Sequence, residues 1–510
     1  MDCQGLLNIL DGHHLLIAYG GPLNVPLTGA SPDSRQIHPG NLFCAMKGAR
    51  QDGHLFIPDA LAKGAVAVLV EHPVSLPFGV AWLQVRNAYE AFGLVAEAVA
   101  GKPADGLKLL AVTGTNGKTT TAYLLRAILR KAGHSTGMIG TVEYDLGGRA
   151  DAGEGKDGRI VLPADRTTPT PFLLQELFAR MADNHVEYAV LEASSHALAQ
   201  RRLGTATCVG AVFTNLTEDH LDYHRTMDEY YEAKKLLFTR HLAKGAPIVI
   251  NCDDPYGRRL SQELRTDRQT LGFSFLEDAL ADVQASVTSQ SANGTAFTLQ
   301  FPDGQRWELF TPLPGRYNAQ NVAGAAVLAW ALGIPSADVC QTVRECPGAP
   351  GRLQAIPIPG QRFAAFVDYA HTDDALTNVL TTLRNLPHHR LLVVFGCGGD
   401  RDRAKRPKMG HAAAQLADRL FVTSDNPRTE QPEAIISEIL PGIPAGTDYV
   451  AIPDRREAIR QAMREATAGD ILLVAGKGHE DYQEINGVKH HFNDAEEIAS
   501  AVALLPAFRG

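Results

Sequence analysis

Residues Gly114-Thr115-Asn116-Gly117-Lys118-Thr119-Thr120 combine two glycines, a lysine and hydroxyls in the order a phosphate cradle needs. Glycines let backbone N–H groups turn towards an anion, Lys118 adds a point charge for the β- and γ-phosphates, and Thr119 has the hydroxyl a magnesium ion takes as a ligand. Only Thr115 and Asn116 separate the two glycines, where the common loop has four residues. The apolar run Lys108-Leu109-Leu110-Ala111-Val112-Thr113 before the loop and a helical pattern after it supply the strand and helix terminus on which such a loop is built.

Three further residues could serve the same chemistry. Glu192 follows the apolar run 188–191, which places it at the carboxyl edge of a sheet as a candidate magnesium ligand among Ser194, Ser195 and His196. His220 lies in the polar cluster 214–224 after the next strand and is a second candidate, although magnesium prefers oxygen. Lys234 shares a helical face with Tyr230, Tyr231, Leu237 and Phe238, whereas Lys235 falls with Asp228 and Glu232. Two readings of Lys234 stand: a side chain that snorkels to water, or a buried amine with a lowered pKa, able to react with carbon dioxide and give a carbamate.

Near the C-terminus, three polar loops each follow a strand: Gly396-Cys397-Gly398-Gly399-Asp400-Arg401, Asp425-Asn426-Pro427-Arg428 and Gly476-Lys477-Gly478-His479-Glu480. Arg401 and Arg428 could each grip a carboxylate through a planar fork, and Glu480 could receive an ammonium group. Capped turns would explain the glycines and Pro427 but not two arginines opposed by an acid.

The elements that must position these residues are those of an α/β protein. Short Val, Ile and Leu runs alternate with helical patterns, which predicts parallel sheets covered by helices. A chain of 510 residues exceeds one ordinary core, and Gly101-Lys102-Pro103 and Cys346-Pro347-Gly348 punctuate it. Three domains are expected, over 1–103, 104–346 and 347–510, the last a separate doubly wound sheet. Predicted elements include helices over 57–63, 88–100, 228–238, 319–332 and 337–345, strands over 65–70, 209–214, 247–250, 391–395, 420–423 and 471–474, and antiparallel alternation over 281–313. A hydrophobic content of 45% with 21% charge is ordinary for a soluble protein, and no apolar run reaches membrane-spanning length. Seven scattered cysteines and a start, Met1-Asp2-Cys3-Gln4-Gly5, without a basic region imply a cytoplasmic protein with reduced thiols. A net charge of −9 argues against a general nucleic-acid surface and for a small anionic partner, and a monomer is expected.

In the order of its motifs the chain resembles the Mur ligases, ATP-dependent amide-forming enzymes of peptidoglycan synthesis. The matching segments are 114–120, Glu192-Ala193-Ser194-Ser195-His196, 215–224, Tyr231-Glu232-Ala233-Lys234, Gly315-Arg316-Tyr317-Asn318, Gly351-Arg352 and Asp368-Tyr369-Ala370-His371. The resemblance implies a three-domain fold with a central nucleotide-binding domain, and ATP bound by the phosphate loop with Asn318, Arg352 and Asp368. It implies magnesium held by Thr119 and Glu192, and a second site made by His220 with carbamylated Lys234. Ser34, Ala49, Arg50 and Gln51 match uridine-side positions; Thr167, Thr168, Ser194, Gln200 and Arg202 match positions that hold a muramoyl dipeptide. Arg401, Asp425, Asn426, Pro427, Arg428, Gly476 and Glu480 match the amino-acid site, and Asp425–Arg428 resembles the version specific for meso-2,6-diaminopimelate. The reaction so implied joins diaminopimelate to UDP-N-acetylmuramoyl-L-alanyl-D-glutamate through an acyl phosphate. Alternatives are the same ligase using L-lysine, a folylpolyglutamate synthetase-like ligase, and a nucleotide-regulated binding protein. The folate enzyme's loop normally continues with glycine and serine, not Thr119-Thr120.

Overall fold

Apolar runs of four to six residues, bounded by turn residues, become buried strands in the computed structural model, as in Ala67–Val70 and Lys108–Thr113. The structure describes residues 1–48, 51–148, 159–265, 268–277, 281–361 and 363–502. They fold as two compact units, one of 1–273 and 324–334, the other of 282–323 and 335 onward.

The first unit begins with a five-stranded sheet in the order Leu16–Gly20, Ala81–Val85, Ala67–Val70, Asn41–Cys44, Gly29–Ser31. Only the Leu16–Gly20 and Ala81–Val85 pair is antiparallel. Asn87 caps the helix Ala88–Val99 through Glu90 N–H, and the chain leaves that helix at Gly101 and the left-handed Lys102. This helix rests on the loop after Gln200. A Cβ on Gly93 would lie 2.1 Å from the Arg201 carbonyl. Buried Glu97 accepts from Thr205 N at 2.9 Å and Thr205 Oγ1 at 2.8 Å.

The second sheet of this unit carries six parallel strands in the order Thr136–Ile139, Tyr188–Glu192, Lys108–Thr113, Cys208–Phe213, Ile248–Asn251, Thr270–Ser274. Lys108–Thr113 lies inside the sheet, and the helix Lys118–Lys131 follows it, so the intervening loop sits at the sheet's carboxyl edge. Leu109, Leu191, Phe213, Phe178 and Phe238 pack in one core beneath that edge.

The second unit opens with an antiparallel meander, Val283–Ser291, Gly294–Gln300 and Arg306–Thr311. The helix Arg316–Ala331 starts three residues before the predicted 319, so Tyr317 and Asn318 belong to its first turn. A six-stranded sheet follows in the order Gln354–Ile356, Ala364–Asp368, Ile471–Ala475, Leu391–Cys397, Arg419–Ser424, Tyr449–Ala451. All its pairs are parallel except the first. The three C-terminal loops leave neighbouring strands of this sheet at one edge. No helix among the described residues is long and apolar enough to cross a membrane.

One fully buried ion pair ties this sheet to its helices. Arg455 Nε and Nη2 donate to Asp494 Oδ1 and Oδ2 at 2.8 and 2.7 Å, and both side chains are 0% exposed. Arg455 also donates to the carbonyls of Ser424 and Ala475, the ends of two strands that carry site loops. Arg455→Met, which leaves Asp494 buried without its cation, is expected to cost about 3–5 kcal/mol of unfolding free energy. Denaturant unfolding followed by circular dichroism measures it, and a loss well below ~1 kcal/mol would contradict the pairing's importance.

Candidate active site

The phosphate loop is held open by contacts to the end of the neighbouring strand. Thr115 N donates to the Asn215 carbonyl at 2.9 Å, Asn116 N to Asn215 Oδ1 at 2.9 Å, and Thr214 Oγ1 to the Asn116 carbonyl at 2.6 Å. Gly114 is required by this approach, because a Cβ there would lie 1.9 Å from Thr214 Oγ1. Its carbonyl accepts from Lys118 Nζ at 2.9 Å and from Lys234 Nζ at 2.8 Å. Lys118 Nζ also donates to the Thr115 carbonyl at 2.8 Å.

Lys234 is 1% exposed on the helix Met227–Arg240, beside buried Tyr230, Tyr231, Leu237 and Phe238. Its Nζ stands 4.5 Å above the Tyr230 ring. Burial, aided by the Lys118 charge, holds its pKa well below the ordinary lysine value. Lys235 turns outward to Glu263 at 2.7 Å and Glu232 at 3.4 Å.

Glu192 ends its strand with a fully buried carboxylate. Its Oε2 accepts from Thr119 Oγ1 at 2.9 Å and Thr141 Oγ1 at 3.0 Å; its Oε1 accepts from Thr141 N at 2.9 Å. A buried carboxylate with neutral hydroxyl donors is a hard oxygen set that fits a magnesium ion. Thr141 carries no periodic or motif signal in the sequence. Thr167 Oγ1 is 3.1 Å from Thr141 Oγ1, and Thr168 Oγ1 donates to the Glu192 carbonyl at 2.6 Å and Ser194 Oγ at 3.1 Å. Arg202 Nη1 reaches the Thr168 carbonyl at 2.6 Å and its Nη2 reaches Gln200 Oε1 at 2.8 Å. Thr119, Glu192, Thr167, Thr168, Ser194, Gln200 and Arg202 are thus one connected network.

His220 is half-exposed and left-handed at φ 53°, next to Asp219 at 3.5 Å. Its ring meets the His196 ring at 4.9 Å and the Tyr230 ring at 6.0 Å, and Lys234 Nζ lies over the same Tyr230 ring. In the N-terminal sheet, Ser34 is buried in a short 3₁₀ turn whose carbonyl accepts from Lys63 Nζ at 3.0 Å. The Gln51 carbonyl accepts from Gly48 N at 2.9 Å. Ala49 and Arg50 lie outside the described residues.

In the second unit, Asp368 ends its strand and accepts from Leu353 N at 2.7 Å and Ala370 N at 2.8 Å. Burial raises its pKa, opposed by the nearby Arg352. Arg352 lies over the Tyr369 ring at 5.0 Å with its Nε buried and unpartnered, an orphan donor facing the same edge. Asn318 Nδ2 donates to the Pro314 carbonyl at 2.9 Å, and buried Asn321, a residue the sequence did not single out, has its amide 3.5 Å from Asn318 Oδ1.

The three C-terminal loops converge. A Cβ on Gly398 would lie 3.0 Å from Arg428 Nη1 and 3.7 Å from Arg401 Cγ, so the Arg428 guanidinium and the Arg401 stem both pass this glycine, while Arg401 Nη1 donates to the Asp400 carbonyl at 3.4 Å. Arg428 Nη1 donates to the Gly399 carbonyl at 2.8 Å and its Nε pairs with Glu484 at 3.2 Å. Asn426 Nδ2 donates to Glu480 Oε2 at 2.9 Å, and fully buried Lys477 donates to the same oxygen at 3.1 Å. Glu480 therefore already has one internal ammonium. Asp425 Oδ2 is buried without a partner, and a Cβ on Gly476 would lie 2.6 Å from it. Acids and cations alternate across this edge as a zwitterionic ligand requires.

Residues 26–102 match the Mur ligase family catalytic domain, 112–329 the Mur ligase middle domain and 351–478 the Mur ligase glutamate ligase domain. The chain is 42% identical over 503 residues to a UDP-N-acetylmuramoyl-L-alanyl-D-glutamate--2,6-diaminopimelate ligase of Geobacter metallireducens, covering 94% of this chain and 95% of that one. The chain belongs to the Mur ligase family. A solved structure of a UDP-N-acetylmuramoyl-L-alanyl-D-glutamate--2,6-diaminopimelate ligase, 34% identical, superposes with a TM-score of 0.69 over 99% of both chains. A Mycobacterium tuberculosis folylpolyglutamate synthase shares the fold at 19% identity and a TM-score of 0.58, over 76% of this chain and 92% of its own. The Mur ligase family is one of ATP-dependent amide-bond ligases, and this chain is a ligase of that family.

For this Mur ligase, Gly114→Ala is expected to weaken ADP binding by roughly tenfold or more, about 1.4 kcal/mol, because the added carbon must push the loop off Thr214. Titration calorimetry measures it. Unchanged affinity would mean that the loop's path past Thr214 is unimportant for the nucleotide.

Proposed function

We propose that this ligase adds meso-2,6-diaminopimelate to UDP-N-acetylmuramoyl-L-alanyl-D-glutamate, with ATP consumed and an acyl phosphate formed, in cytoplasmic peptidoglycan precursor synthesis. The observation that carries the reading is the approach of Arg428 Nη1 and the Arg401 stem to Gly398 in a loop set that also offers Asp425 and Glu480. A second carboxylate on the incoming amino acid calls for such a fork; lysine has none. Identity above 40% across nearly the whole chain with a diaminopimelate-adding enzyme supports it.

The proposed division of labour follows three domains, 1–103, 104–346 and 347–510. Ser34, Ala49, Arg50 and Gln51 take the uridine end of the substrate. Thr167, Thr168, Ser194, Gln200 and Arg202 hold the muramoyl dipeptide, and Gly114–Thr120 with Asn318, Arg352 and Asp368 hold ATP. The dipeptide carboxylate attacks the γ-phosphorus; the bond to the β-bridging oxygen breaks and ADP leaves. Lys118 and the loop amides receive the charge spread over the transferring phosphoryl group. The diaminopimelate amine then attacks the acyl carbon, gives up a proton, and expels inorganic phosphate. Arg401, Asp425, Asn426, Pro427, Arg428, Gly476 and Glu480 orient that amine.

Neutral Lys234 adds carbon dioxide, forming an N–C bond and releasing one proton, to become an anionic carbamate that offsets Lys118. Thr119 and Glu192 would hold one magnesium ion, and His220 with the carbamate a second, to neutralise charge on the phosphates.

Phosphate release from ATP with the UDP-dipeptide is expected with meso-diaminopimelate and not with L-lysine or without amine. Release with lysine would overturn the role of Arg428, and release without any amine would favour a nucleotide switch. Lys234→Ala is expected to abolish turnover, with partial rescue by a short carboxylic acid and none by bicarbonate; full activity would sink the carbamate. Arg428→Ala should raise the KM for diaminopimelate by roughly tenfold or more and leave the KM for ATP in place.

A further inference from the structure

Beneath the amine loops lies an ion pair between a buried arginine and a partly buried glutamate that the reaction does not use directly. Arg406, on the helix Lys405–Leu416, is 1% exposed. Its Nη2 and Nη1 donate to Glu430 Oε1 and Oε2 at 2.8 and 3.0 Å. Its Nη2 also reaches the Gly398 carbonyl at 3.3 Å, and its Nη1 reaches Glu438 Oε2 at 2.9 Å. Glu430 Oε1 in turn accepts the Asp400 N–H at 2.6 Å. The bonds from Arg406 and from that amide pull the Glu430 carboxyl down to about 2.

Asp400 returns the contact. Its carboxylate accepts from Thr429 N at 3.2 Å and from Thr429 Oγ1 at 2.8 Å. Gly399 N adds a third tie, to the Asn426 carbonyl at 2.9 Å. The loops bearing Arg401 and Arg428 are thereby laced together, and each has a non-glycine residue in the left-handed region, Asp400 at φ 54° and Arg428 at φ 51°. Strained backbone of this kind persists only where its surroundings over-determine it, and it gathers at ligand clamps. The Arg428 guanidinium is fixed on two further edges, by the Gly399 carbonyl and by Glu484.

We propose that Arg406 and Glu430 are positioning residues that set the spacing of the Arg401 and Arg428 guanidinium groups, and with it the preference for an amine substrate carrying a second carboxylate. This rests on the ligase reading above. The pair touches no substrate; it acts by holding the Asp400 amide and the Gly398 carbonyl against the 425–430 loop. Loosening it penalises diaminopimelate, whose distal carboxylate needs the fork, and spares ATP and the UDP-dipeptide.

The test is steady-state kinetics of the full-length enzyme and its Glu430→Gln variant, with each substrate varied in turn and lysine as a comparison amine. Glutamine keeps the shape and removes the charge. The expected result is a KM for diaminopimelate raised roughly tenfold, a kcat at saturating amine within about twofold of the parent, and unchanged KM values for ATP and the UDP-dipeptide. The ratio of kcat/KM for diaminopimelate over lysine should fall. Equal rises in every KM, or a lower kcat with that ratio intact, would reduce the pair to general structure and overturn the proposal. Should Glu430→Gln fail to fold by circular dichroism, Thr429→Val carries the test. It deletes one hydroxyl from an exposed residue. The ratio should then fall by roughly two- to threefold, and an unchanged ratio overturns the proposal. No turnover of diaminopimelate by the parent enzyme would overturn both readings, whereas normal parental turnover with unaltered variants removes only the positioning role.

Discussion

One carbonyl oxygen, that of Gly114, accepts hydrogen bonds from two lysines, and the first unit's site depends on that convergence. Two ammonium groups a few ångströms apart repel by about 1 kcal/mol in water and about 4 kcal/mol at the effective dielectric of a protein surface. Lys234 adds the larger cost of burying a charge, against which a carbonyl and a Tyr230 face offer modest return. The cheapest resolution is for Lys234 to lose its proton. The result is a buried amine of lowered pKa that shares the Gly114 carbonyl with the Lys118 cation, the setting on which the proposed carbamate rests.

The same constraint explains the rest of that neighbourhood. Gly114 can present its carbonyl to both lysines only because it has no side chain to strike Thr214. The Thr214–Asn215 strand end then fixes the loop amides, and Tyr230 closes the pocket while its hydroxyl lies 3.2 Å from Thr115 Oγ1. Glu192 stands beyond Thr119 with both oxygens committed to hydroxyls and an amide, a negative counterpart to the two lysines. In the second unit the balance is struck differently: Lys477 pairs with Glu480 at 3.1 Å, and Asp425 Oδ2 is buried without a partner.

Much of this was legible in the sequence, and the legible part is local. The phosphate loop is contiguous, and the Lys234 face is written in the 3.6-residue spacing of one helix, with Lys235 as an internal contrast. Strand-ending loops at 192, 368, 396 and 425 follow from short apolar runs. What the sequence withheld depends on partners far along the chain. Thr141 meets Glu192 across two strands, and Glu97 meets Thr205 across two sheets. Arg406 and Glu430 carry no motif or periodic signal, and their pairing appears only when the fold buries Arg406 against the partly buried Glu430. Lys477, read as one residue of a polar ligand-binding loop, donates to Glu480, the acid expected to receive an ammonium group. The helix starts at Arg316 rather than at 319 because Arg316, Tyr317 and Asn318 form a first turn without the apolar run that marks the rest.

The claim that Lys234 is held as a neutral, carbamate-forming amine is tested most directly by carbon-13 NMR of the protein equilibrated with labelled bicarbonate. The account predicts one slowly exchanging carbamate resonance that is lost in Lys234→Arg and disappears on acidification as the amine takes a proton. Absence of the resonance in the parent protein, or its persistence in Lys234→Arg, would contradict it.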